Sequence, residues 1–85
     1  MKNTTDLIQT LNEETDSHWT PGHDTNTYTE LEDGDGRLIT ISAWDSNELN
    51  RWNLTYRDYA EADPVVSDAI PVPTDDLGEA VLELI

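Results

Sequence analysis

The sequence predicts an α+β domain: a three-stranded antiparallel sheet flanked by an N-terminal and a C-terminal helix, in the order α-β-β-β-loop-α. Three observations carry this. Apolar residues recur at helical spacing near both ends, residues 51–56 alternate strictly between apolar and polar, and Asp33-Gly34-Asp35-Gly36 sets a turn between two strand-like runs. Eighty-five residues leave room for one core, so residues 1–85 read as a single domain.

In chain order, Thr4 or Thr5 caps a short first helix, Asp6 suits its positive end, and Leu7, Ile8 and Leu11 share a face. Residues 15–26 are polar and punctuated by Pro21-Gly22, which predicts a loop with Trp19 anchored inward. Tyr28 to Glu32 and Arg37 to Trp44 form a hairpin across the glycine turn. In its second strand Ile39, Ile41 and Ala43 face one side, and Leu38, Thr40, Ser42 and Trp44 the other. Asp45-Ser46-Asn47-Glu48 is a turn or a single helical turn. The third strand follows, with Trp52, Leu54 and Tyr56 on one face. Pro64, Pro71 and Pro73 predict an extended or irregular stretch over 60–73. Thr74 begins the last helix, whose Leu77, Ala80, Val81 and Leu84 form a core-facing stripe.

Charge is the main functional signal. Nineteen Asp and Glu stand against Lys2, Arg37, Arg51 and Arg57, a formal net charge of −15. Binding to phosphates or to an anionic membrane surface needs clustered Lys and Arg, so direct nucleic-acid and membrane partners are excluded and a basic protein is expected. With no cysteine, disulfides and thiolate chemistry are absent. The N-terminal residues lack the apolar core of a signal peptide, and no apolar run spans a bilayer, which predicts a soluble, cytoplasmic protein.

Catalytic constellations are missing. Ser17, Ser42, Ser46 and Ser67 have no flanking elbow motif, and His18 and His23 straddle a turn where helical metal-ligand spacing does not apply. Asp33-Gly34-Asp35-Gly36 lacks the sixth-position glycine and twelfth-position glutamate of a calcium loop. No enzyme, metal or cofactor is expected. What remains is acidic surface. Glu30 and Glu32 project from one strand face about 6.7 Å apart, Asp33 and Asp35 carry the charge round the turn, and Asp75, Glu79 and Glu83 recur every fourth residue on the last helix. Trp44, opposite Ile39 and Ile41, is an aromatic anchor if that face is open.

Asp6-Leu7-Ile8, then Gly22-x-Asp24-x-Asn26-x-x-Thr29-x-Leu31, then Asp35-Gly36 followed by Ile41-Ser42 form a pattern over residues 6–42. It resembles the small acidic phage-encoded anti-CRISPR proteins that inhibit an RNA-guided nuclease. The resemblance implies a three-stranded antiparallel sheet with helices, and an acidic turn that occupies the nuclease pocket for duplex DNA, with Asp35 and Gly36 in partner contact. Arg37 departs from the acidic or polar residues of that family, and residues after 42 carry no match. The expected function is inhibition of a basic nucleic-acid-binding partner by charge mimicry. The alternative is a structural or regulatory module whose acidity reflects salt adaptation or solubility.

Overall fold

In a computed structural model, described for residues 3–45, 48–59, 65–66 and 70–85, two helices cover one face of an antiparallel sheet. The elements are α1 (Thr4–Glu14), β1 (Trp19–Asp24), β2 (Tyr28–Asp33), β3 (Arg37–Asp45), β4 (Glu48–Asp58), β5 (Val65–Val66), β6 (Ile70–Pro73) and α2 (Leu77–Leu84). A 3-10 turn at Thr74–Asp76 leads into α2. The strands β1 to β4 are adjacent in sequence order. Beyond β4 its outer edge is shared, with β6 beside Arg51 to Leu54 and β5 beside Arg57 and Asp58.

The α+β class stands, but the expected three-stranded sheet is corrected to six strands in five positions. The additional strands lie where proline and glycine argued against them. β1 crosses the segment expected as a loop, pairing Trp19 with Asp33 and Pro21 with Leu31 before a bulge ahead of Asp24. It is an outer strand, where a missing N–H costs no ladder bond. The expected irregular stretch contains β6, in which Pro71 pairs with Asn53 and Pro73 with Arg51. The two prolines share one parity, so both missing donors point away from β4 and alternate N–H groups can still serve the ladder. Pro64, Ser46 and Asn47 lie outside the described residues.

The core joins every layer. Leu7 and Leu11 of α1, Leu77 and Val81 of α2, and Trp19, Leu31, Ile39, Ile41, Trp52, Leu54 and Val72 of the sheet form one buried cluster. Both helices dock through their expected stripes. Their ends differ from expectation. Asn3 caps α1 by accepting from the Asp6 N–H at 3.2 Å, while Thr4 donates to Asp24 Oδ1 at 3.0 Å and ties the helix to β1. Thr74 Oγ1 accepts from the Trp52 indole N–H at 2.9 Å.

Trp19 is fixed from three sides. Its N–H donates to Asn12 Oδ1 at 2.7 Å, its indole N–H donates to Thr15 Oγ1 at 3.1 Å, and the Arg37 guanidinium lies 5.3 Å from its ring centroid. This closes the α1–β1 connection over the core.

Candidate functional surface

The architecture sorts the charged residues onto two opposite faces. Helix α1 and the residues after it expose Asp6, Glu13, Glu14 and Asp16, and the turn with α2 exposes Asp75, Asp76, Glu79 and Glu83. Residues 3–18 and 74–85 contain no Lys or Arg, so among the described residues this helical layer presents eight exposed carboxylates and no Lys or Arg of its own. Several sit against local helix physics. Glu13 and Glu14 fall in the last turn of α1 and Glu83 near the end of α2, where the helix dipole favours cations and neither last turn has one. Asp75 lies in the 3-10 turn, so the expected four-residue row is continuous on the α-helix only from Glu79 to Glu83, about 6 Å apart.

The opposite face of the sheet is open. Among the described residues none that points away from the helices is buried. Its register is explicit: Glu32 pairs with Leu38, which pairs with Arg57, and Glu30 pairs with Thr40, which pairs with Thr55. The Thr40 and Thr55 hydroxyls hydrogen-bond each other. Glu30 accepts from the Tyr28 hydroxyl at 2.7 Å, a bond that, with burial, pushes the phenol above its ordinary value. Gly22 makes room for both glutamates, since a Cβ there would come within 3.2 Å of Glu32 Oε1 and 3.4 Å of Glu30 Oε2. Among the described residues Trp44 (53% exposed) and Tyr59 (50%) are the exposed large hydrophobic ones, and Arg57 donates to the Tyr59 hydroxyl at 3.1 Å.

The acidic patch expected on the hairpin is therefore divided. Glu30 and Glu32 belong to the open face and Asp35 is exposed at the tip, but Asp33 is corrected from a partner contact to an internal anchor. It has the parity of Leu31 and so points toward the core. Its Oδ1 accepts from the Asp35 N–H at 3.0 Å and the Arg37 N–H at 2.8 Å, and its Oδ2 accepts from Arg37 Nε at 2.5 Å. Burial opposes its ionisation, but these hydrogen bonds and the Arg37 charge prevail and hold the carboxyl below its usual range. Arg37 also donates to Ser17 Oγ, so both sides of this pair are committed within the fold. Gly36 has a structural cause for its identity, a φ of 96° that closes the turn.

The residues expected to act together do not all meet. Asp75, Glu79 and Glu83 are on the helical layer, and Trp44 is on the far side of the sheet. Asp6, Glu13, Glu14, Asp16 and Asp76, and also Arg57, were not among the residues expected to form a contact surface. The first group had a visible signal, since no Lys or Arg lies between Lys2 and Arg37 or after Arg57. Among the described residues no three His, Asp or Glu side chains form a cluster that could hold a metal ion, and no helix is long and apolar enough to cross a membrane. Comparison with family models, with curated protein sequences and with solved structures gives no match.

Proposed function

We propose that the chain is a binding protein, not an enzyme, which inhibits a basic nucleic-acid-binding partner by presenting carboxylates where that partner expects phosphates. The supporting observation is the helical layer, with eight exposed acids and no Lys or Arg in its segments. Acids at helix C-terminal ends cost stability at low salt, which is a reason to seek their use outside the fold. Electrostatic steering makes such an association fast and weakens it as salt rises. The anti-CRISPR and anti-restriction type of inhibitor fits this chemistry. Here the proposed contact surface is the helical layer, with Asp75, Glu79 and Glu83 at its centre, in place of the hairpin turn.

The test is affinity capture from a cell lysate at low and high salt, with the wild type and the variant Asp75→Asn/Glu79→Gln/Glu83→Gln as bait. A nucleic-acid-binding enzyme that duplex DNA displaces, and that the neutralised variant fails to retain, supports the proposal. Capture that is indifferent to both competitor and variant overturns it.

A further inference from the structure

The open sheet face is self-complementary in charge. Glu32, Leu38 and Arg57 form one row across β2, β3 and β4, so an acid and a base flank the middle strand at the same height. When two such sheets face each other about a two-fold axis running along β3, β2 of one copy lies over β4 of the other. Glu32 of each copy then opposes Arg57 of its mate, and this contact occurs twice. A two-fold axis running across the strands would instead set β2 against β2 and glutamate against glutamate. Aligned sheets cross at about 30°, which displaces strands adjacent to the axis only slightly.

We propose that this face binds a second copy of the chain, with β3 on the dyad. Trp44 on β3 lies near the axis and supplies the aromatic anchor, its indole half-exposed when the chain is alone. Five strand positions at about 4.8 Å and strands of about six residues give a face of about 24 Å by about 20 Å. That buries about 1,000 Å² in total, the lower end for a specific interface, so the dimer is weak and concentration-dependent. The net charge of −15 on each copy opposes association. However, the carboxylate-rich helical layers point outward on opposite sides, about 30 Å apart, well beyond the screening length of about 8 Å in physiological salt. Both copies keep their acidic surface free.

Sedimentation equilibrium at about 0.15 M salt tests this, with circular dichroism to verify folding. The wild type is expected to dimerise, Glu32→Arg and Arg57→Glu each to raise the dissociation constant at least about tenfold, and the double exchange Glu32→Arg/Arg57→Glu to restore it. A wild type that stays monomeric to millimolar concentration, single reversals without effect, or a double exchange that fails to restore association each overturns the proposal. A second measurement does not depend on charge. The chain has no cysteine, so Ser42→Cys on β3 should join to itself through a short bismaleimide. Thr20→Cys on β1, which the same dyad sets about 20 Å from its counterpart, should not. Equal cross-linking at both positions overturns the dyad.

Discussion

Arg37 binds the carboxylate of Asp33 across the β2–β3 turn with both its backbone N–H and its Nε, at 2.8 and 2.5 Å, while its guanidinium lies over Trp19. One cation thereby satisfies a buried acid at the hairpin tip and packs on the residue that closes the α1–β1 connection. Removing the acid should be costly. Asp33→Ala leaves two backbone donors and a guanidinium without this acceptor, and about 3 kcal/mol of stability should be lost in urea unfolding. Asp33→Asn keeps an oxygen for the backbone donors and should lose about half as much. Equal losses would show that the ion pair, not the turn geometry, carries the effect.

The same pair gives a pH signature. Asp33 has a lowered pKa in the fold, so it binds protons more readily when unfolded. Its stabilisation is therefore complete above the unfolded carboxylate value, about pH 4, and is lost as pH falls through the lower native value. The difference in unfolding free energy between wild type and Asp33→Asn should hold steady from neutral pH down to about 4 and shrink below that. A gap that widens on acidification would contradict the assignment.

The hairpin turn separates two glycines that look alike in sequence. Gly36 has a φ of 96°, which an L side chain resists, whereas Gly34 has no such angle and open space where a Cβ would stand. Gly36→Ala should cost about 1 to 2 kcal/mol. Gly34→Ala should be neutral or stabilise by about 0.5 kcal/mol through the unfolded chain. Thermal melts of the two variants decide this, and they also show whether Gly36 is explained by the turn alone.

How far the sequence foretold this arrangement depended on period. The alternation of Trp52, Leu54 and Tyr56, and of Ile39 and Ile41 against Trp44, placed those side chains correctly because one face of each strand is buried. The inward turn of Asp33 was available by the same rule, from its parity with Leu31 and from Arg37 four residues on, but its charge argued for solvent. Of the three strands that were missed, β1 and β6 carry proline within them. Pro21 and Pro71 read as interruptions, and only the tertiary fact that β1 and β6 are outer strands makes them compatible with pairing. Thr74 marked a boundary for a different reason, since its hydroxyl serves the Trp52 indole. The division of charge between two faces required knowing which face of the sheet the helices cover.

The acids of α2 should reveal their purpose through the sign of two measurements on one variant. Glu79 and Glu83 repel each other at i, i+4, and Glu83 lies near the negative end of the helix dipole. Glu83→Gln, which leaves Glu79 in the first turn at the favourable end of the dipole, should therefore be more stable than the wild type at low salt, by about 0.5 kcal/mol, with the gain fading as salt screens the repulsion. If the row serves a basic partner, the same variant should bind that partner more weakly, so stability and binding move in opposite directions. If the acidity serves only solubility in salt, the gain in stability comes with no loss of any interaction. Thermal melts with and without molar salt, run beside partner retention, separate the two. A variant that is both more stable and equally well retained removes Glu83 from the contact surface.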